Sequence, residues 1–97
     1  MPPAPPIIPD PLELALVRLQ ETDARRGSQL FRTLEVYLEQ HGNARRSAEA
    51  LFIHRNTLRQ RLRRIGEIID RDVREPGSWF ELGLAVRLVR FRSTVQP

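Results

Sequence analysis

The sequence predicts an all-α fold: a domain of four or five helices that contains a helix-turn-helix at about residues 43–65. Apolar residues recur at helical spacing in several segments, and no segment shows the sustained alternation that strands require. A short capped segment is also followed, after two residues, by a longer one rich in arginine. A chain of 97 residues forms one domain with one modest core. We assign residues 12–93 to this domain.

The first two helices are delimited by capping residues. Asp10 is the expected cap of the first helix, which should end near Gly27. Ser28 is the expected cap of the second helix, which should run to about His41, with Gly42 ending it. The expected apolar stripes are Leu12, Leu16 and Leu19, then Leu30, Phe31, Leu34, Tyr37 and Leu38.

The next two helices form the helix-turn-helix. Asn43 should cap a short helix that ends near Leu51, and a longer helix should follow at about residues 54–70. The two residues between them, Phe52 and Ile53, should make a tight apolar turn, and we place Phe52 in the core. The expected inward residues are Ala44, Ala48 and Leu51, then Leu58, Leu62, Ile65 and Ile69.

A proline-rich segment and a final helix flank these elements. Residues 1–11 hold six of the eight prolines and are expected to form a linker or a disordered N-terminus. The Pro76-Gly77 pair breaks the chain before a helix at about residues 78–92. Its expected inward residues are Leu82, Ala85, Val86 and Val89.

Positive charge is concentrated in one stretch of the chain. The net charge is +4, and all sixteen cationic residues are arginine. Residues 45–64 hold seven arginines and one acid, so this window carries +6 and the rest of the chain −2. Such asymmetry indicates a polyanionic partner.

Several classes of function are disfavoured. The chain has no cysteine, and its two histidines are too few to hold a metal alone, so we expect no metal and no cofactor. Asp70, Asp72 and Glu75 lack the spacing and the glycine of a calcium loop. No nucleophile and orienting acid accompany His54, so we expect no enzyme. No apolar run is long enough for a membrane span, and we expect a cytoplasmic protein without membrane contact.

The longer helix of the motif presents a face suited to reading bases. The side chains that point away from its stripe are Asn56, Gln60, Arg63 and Arg64, with Arg59 on one flank and Thr57 and Arg61 on the other. Arginine pairs with guanine, and asparagine or glutamine with adenine. Residues 54–66 contain no acid, whereas exposed helix faces usually mix both signs.

The string LFIHRNTLRQRLRRI at residues 51–65, with Gly42-Asn43 before it, closely resembles the C-terminal helix-turn-helix of PucR-family transcriptional regulators. The resemblance runs from about Asp10 to Phe91. It implies a DNA-binding domain of a bacterial regulator, in a family whose members usually carry an N-terminal sensing region. The chain would then be an excised C-terminal domain or a small stand-alone relative. Gly66 and the Arg45-Arg46 pair depart from the family pattern.

Residues 54–59 also resemble, more distantly, the recognition helix of the factor-for-inversion-stimulation group, whose members bind DNA as dimers. That resemblance implies that Arg55 and Arg59 reach bases and that Thr57 meets a phosphate. The full set of expected base-reading residues is Arg55, Asn56, Arg59 and Gln60. The expected phosphate-binding residues are Asn43, Arg45, Arg46, His54, Thr57, Arg61, Arg63 and Arg64.

The expected partners are double-stranded DNA and a second copy of the chain, at least on DNA. The last helix is the first candidate for the dimer contact, through Trp79, Phe80, Leu84, Leu88 and Phe91, and the first helix is the second, through Leu14 and Val17. These residues could instead complete a monomeric core. The competing function is a helical protein-interaction module that binds an acidic partner. RNA binding ranks lower, because the one aromatic residue of the basic window, Phe52, is expected to be buried.

Overall fold

The computed structural model describes residues 10–95 and confirms the all-α prediction. Its helices are α1 (Pro11–Arg26), α2 (Leu30–Glu39), α3 (Ala44–Leu51), α4 (Arg55–Ile69) and α5 (Trp79–Val95), with a 3-10 turn, Pro76–Ser78, before the last. No strand occurs among these residues. The proline-rich segment predicted at residues 1–11 lies largely outside them. No helix within residues 10–95 is long and apolar enough to cross a membrane.

One core joins all five helices. It is built on the predicted stripes, and six of its leucine and isoleucine residues have no exposed surface: Leu16, Leu19, Leu34, Leu58, Ile65 and Leu82. Helix α4 packs on α1 and α2, and α5 also packs on α1 and α2. The helix-turn-helix is therefore held on a scaffold made by the remaining three helices.

Two carboxylates on the scaffold are buried and paired with arginines of α5. Arg90 donates to Glu35 of α2 at 2.6 Å, and Arg92 donates to Glu13 of α1 at 2.7 Å. Each glutamate is almost fully buried, whereas the arginines are more than half exposed. Because an unpaired buried carboxylate is costly, these contacts fix the position of α5 on α1 and α2.

The cap of α2 differs from the prediction. The Ser28 hydroxyl does not cap the helix; it donates to the carboxylate of Asp23 at 2.5 Å. Asp23, in the last turn of α1, instead accepts from the backbone N–H groups of Leu30 and Phe31 at 2.8 and 2.9 Å. A carboxylate satisfies two donors and favours the positive end of the helix, so it displaces the neutral hydroxyl.

The joint between α2 and α3 is closed by an aromatic pair. Helix α2 ends at Glu39, two residues before the predicted end, because His41 and Gly42 take left-handed conformations with φ of 52° and 75°. A Cβ at Gly42 would lie 2.1 Å from the ring of Trp79, so only glycine fits there. The Trp79 indole lies edge-on to Tyr37 and donates to the carbonyl of Val73 at 2.9 Å.

The glycine in α4 has a packing reason that the sequence conceals. A Cβ at Gly66 would lie 2.8 Å from the backbone carbonyl oxygen of Arg71, where the chain turns back after the helix. The N–H of Arg71 donates to the Gly66 carbonyl at 3.1 Å, and Asp70 closes the helix in a left-handed conformation. Glycine destabilises the interior of a helix, but at this position it allows the backbone of Arg71 to pack closely against α4.

Two placements predicted for the helix-turn-helix are wrong. Ala44 is exposed at the start of α3, and Ser47 joins Ala48 as a buried residue of that helix. Phe52 is not in the core, since its side chain is 94% exposed. It ends α3 with a φ of 56°, and the N–H of Ile53 donates to the carbonyl of Ala48 at 3.0 Å. This left-handed cap turns Ile53 inward and Phe52 outward.

Candidate nucleic-acid interface

Helix α4 is held by one face and exposes the other. The N-cap His54 accepts from the N–H of Asn56 through Nδ1 at 3.0 Å, which confirms the predicted start of the helix. Because Nδ1 accepts this bond, Nε2 is the ring nitrogen that can donate to a ligand. The residues predicted to face away from the core are exposed: Asn56, Gln60, Arg63 and Arg64. Arg59, predicted on one flank, is also exposed, whereas Thr57 and Arg61 on the other flank are half-buried.

A shallow depression lies between α3 and the first two turns of α4, which we term the arginine groove. Its lining residues are Arg45, Ala48, Glu49, Phe52, Ile53, His54, Arg55, Asn56 and Arg59. Three of the four predicted base-reading residues lie here, beside two of the predicted phosphate-binding residues. The fourth, Gln60, is exposed on α4 but does not line the groove.

The predicted phosphate-binding residues of α3 surround its N-terminus. The side-chain oxygen of Asn43 accepts from the N–H of Arg46 at 3.0 Å, so its amide nitrogen is the donor left for a ligand. Arg45 pairs with Glu49 one turn along at 3.3 Å, with both side chains exposed. Because an exposed pair of this kind is weak, Arg45 can exchange it for a phosphate at small cost.

Two predicted phosphate-binding residues lie on the flank of α4 that faces α2. Thr57 is half-buried, and Arg61 donates from Nη1 to the hydroxyl of Thr33 on α2 at 3.2 Å. Thr33 is fully buried, so the Arg61 stem is packed against the scaffold while the side chain as a whole remains partly exposed. This contact couples the flank of α4 to α2.

A second depression extends beyond the basic window identified in the sequence. Arg59 and Arg63 line it together with Arg71 and Arg74 of the segment after α4, beside the acids Glu67 and Asp72. Arg71 is paired with Glu81 of α5 through two hydrogen bonds, of 2.8 and 3.1 Å, whereas Arg74 is exposed. The hydrogen bond to Glu81 raises the pKa of Arg71 above its usual value. Arg74 was not among the candidate residues from the sequence, because it lies ten residues beyond the end of the +6 window.

The outer face of α5 carries the apolar residues predicted for a dimer contact. Phe80, Leu84, Leu88 and Phe91 recur at helical spacing and are 80%, 49%, 47% and 66% exposed; we term them the α5 stripe. Trp79 does not belong to it, since its ring packs on Gly42 and Tyr37. The α1 residues Leu14 and Val17 are also exposed, but less so than the two phenylalanines.

The comparisons with known proteins agree on the kind of domain. Residues 30–88 match the family described as PucR C-terminal helix-turn-helix domain. The purine catabolism regulatory protein of Bacillus subtilis is 38% identical over 64 residues, which are 66% of this chain and 12% of that protein. The proline-responsive transcriptional activator PutR of the same organism is 33% identical over 75 residues, or 77% of this chain and 18% of that protein.

A third relative, the DNA-binding transcriptional activator AdeR of Bacillus subtilis, is 32% identical over 74 residues, 76% of this chain and 18% of its own length. The chain thus spans less than a fifth of each of these three relatives. No solved structure matches the chain.

Proposed function

Since the chain belongs to the family of PucR C-terminal helix-turn-helix domains, we propose that it binds double-stranded DNA sequence-specifically as the C-terminal domain of a bacterial transcriptional regulator. Helix α4 enters the major groove of the DNA. Helix α3 lies across the groove and contacts the phosphate backbone of the DNA. The observation that carries the proposal is the arginine groove, where exposed arginines of α3 and α4 converge beside a helix face without acids.

The proposed roles follow from where the side chains sit. Arg55, Asn56 and Arg59 line the groove on α4 and read base edges, with Gln60 one turn along the helix. The phosphate contacts are Asn43, Arg45 and Arg46 around the start of α3, His54 through Nε2, and Thr57, Arg61, Arg63 and Arg64 along the flanks of α4. For Arg64 this requires exchange of an exposed 3.6 Å pair with Glu67, which costs little.

We further propose that two copies bind together on a two-fold symmetric site. One recognition helix covers only a few base pairs, whereas two helices about 34 Å apart read adjacent major grooves. The α5 stripe supplies an apolar face outside the motif, and such faces mark contacts between proteins. A second copy presents the same stripe, so the contact is self-complementary. In a full-length protein, a region before this domain would supply the sensing function.

The salt dependence of binding tests the proposal. If about five arginines displace counterions from phosphates, the logarithm of the association constant should fall with the logarithm of salt concentration with a slope near −4.5. Fluorescence anisotropy with labelled random duplex DNA, over a range of potassium chloride concentrations, measures that slope. A flat response, or no binding at low salt, would contradict DNA binding and favour the competing function, a module that binds an acidic protein.

A further inference from the structure

Phe52 is the most exposed large apolar residue in the described part of the chain, and burial gives no reason for an apolar side chain at this position. The left-handed cap of α3 turns it away from the core, and the residue is 94% exposed at the turn between α3 and α4. The left-handed conformation of this residue, with a φ of 56°, is one that glycine adopts freely and phenylalanine does not. Both the backbone and the side chain are therefore unfavourable for phenylalanine in the isolated domain, which points to a role in binding.

The position of the Phe52 ring indicates what it would contact in a bound DNA. Phe52 lines the arginine groove together with Arg55, Asn56 and Arg59, the side chains proposed to meet base edges. The lining holds one other aromatic ring, the polar imidazole of His54. The Phe52 ring has no hydrogen-bonding group, so its contact on DNA must be apolar.

We propose that Phe52 is a specificity-determining contact to the C5 methyl group of a pyrimidine in the major groove. The C5 methyl of thymine is the apolar group that unmodified base pairs present in that groove. The inference rests on the proposed DNA binding and adds a preference that the arginine and amide side chains of the groove do not supply. It gives each half-site a required thymine next to the base pairs that Arg55 and Arg59 read.

Two other uses of an exposed phenylalanine fit this position less well. Apolar wedges that unstack base pairs enter from the minor groove, whereas Phe52 lies beside the helix assigned to the major groove. Stacking on single strands uses successive aromatic platforms along a basic groove. The other exposed phenylalanines of the described residues, Phe80 and Phe91, lie on α5.

Deoxyuridine scanning of a bound site tests the contact, because deoxyuridine is thymine without the methyl group. The wild-type domain, on a site selected from random duplex DNA, should lose about four-fold in affinity for each half-site in which one particular thymine is replaced, the value of one buried methyl. Phe52→Ala and Phe52→Gly should bind the thymine and deoxyuridine sites equally. At that position, 5-methylcytosine should outbind cytosine in the wild type alone, which distinguishes the methyl group from the rest of the base.

Two comparisons separate this effect from a loss of folding. Phe52→Gly suits the left-handed backbone, so its thermal unfolding midpoint should not fall below that of the wild type while its methyl preference is lost. Phe80→Ala removes a similarly exposed ring from α5 and should keep the full thymine preference, whatever its effect on overall affinity.

The possible failures are distinguishable. Salt-dependent duplex binding with the same thymine preference in the wild type and both Phe52 variants would overturn the methyl contact and leave DNA binding intact. A larger loss for single-stranded DNA or RNA than for duplex in Phe52→Ala would overturn it in favour of stacking. No duplex binding by the wild type at low salt would overturn both proposals.

Discussion

Arg55 and Arg59 lie one turn apart on α4, whereas Arg45 and Arg46 lie in the first turn of α3. Single substitutions of the α4 pair by alanine should relax sequence preference and cost about 1–3 kcal/mol each on the best site. Single substitutions of the α3 pair should weaken binding to all sequences alike and flatten the salt slope. Competition with specific and random duplexes at two salt concentrations measures both effects. Indistinguishable results for the two pairs would show that the base-reading face is wrongly assigned.

The single tyrosine should be harder to ionise in the folded protein. Burial raises the pKa of Tyr37 above 10.0. The positive charge of Arg74 opposes this rise, and the negative charge of Asp72 adds a smaller increase. The unfolded chain then loses this proton first, so the contribution to stability is complete below pH 10 and falls as pH rises through the folded pKa. Tyrosinate absorbance against pH, in buffer and in denaturant, should give a higher midpoint for the folded state. Equal midpoints would contradict the burial effect.

Sequence reasoning succeeded for residues whose role depends on their own chemistry and spacing. Asn43 and His54 cap the helices they were expected to cap, because both precede a helical pattern with a suitable acceptor. It failed for Asp23, whose partners Leu30 and Phe31 meet it only after α1 and α2 pack together. It failed for Phe52 because an apolar side chain in a tight turn gives no sign of which way the backbone turns it.

At the level of the helix, Gly66 gives the sharpest stability prediction. Alanine is the better helix former by about 1 kcal/mol, so propensity alone predicts that Gly66→Ala stabilises α4. The structure predicts the reverse, because the added Cβ would lie 2.8 Å from a backbone oxygen of Arg71 that a side-chain rotation cannot move. We expect a loss of about 1–3 kcal/mol in the free energy of unfolding. Denaturant titration of Gly66→Ala, with Gly83→Ala as the control, measures this free energy.

The Gly83→Ala control isolates the contact at Gly66. Gly83 lies within α5, and a Cβ there would meet no atom within 4 Å. This substitution should therefore stabilise the domain or leave it unchanged. If Gly66→Ala stabilised the domain as much as Gly83→Ala, the backbone of Arg71 could not lie as close to Gly66 as described.

Helix order and the inward stripes could be predicted because each depends on a local pattern, and the predicted residues of α4 are those buried. The ends of helices were less predictable. Helix α2 stops at Glu39 because His41 and Gly42 take left-handed conformations, and Trp79, much later in the chain, packs so closely on Gly42 that no side chain fits there. Contacts of that kind join distant segments, and no local pattern reports them.

For the whole molecule, the α5 stripe predicts a dimer that forms at least on DNA. Leu84→Glu and Leu88→Glu place a charge in the proposed contact and should weaken binding to a palindromic site while leaving half-site binding unchanged. Analytical ultracentrifugation with and without that site should show two wild-type copies and one variant copy per duplex. Leu14→Glu, at a comparably exposed leucine of α1, is the matched control and should behave as the wild type.

Two outcomes would change this assignment. Dissociation by Leu14→Glu, with no effect of the α5 variants, would move the dimer contact to α1. A wild-type domain that binds one half-site as a monomer in both conditions would remove the dimer proposal and leave the helix-turn-helix assignment untouched.

Trp79 gives the molecule an internal optical reporter. It is the one tryptophan of the chain, and its ring is held against Tyr37 and Gly42, outside the lining of the arginine groove. Its emission should therefore follow unfolding and respond little to an occupied groove. Because a ligand that binds only the folded state raises the free energy of unfolding by RT ln(1 + [L]/Kd), denaturation curves read at this one fluorophore, with and without duplex, yield DNA affinities for every variant without a label on either molecule.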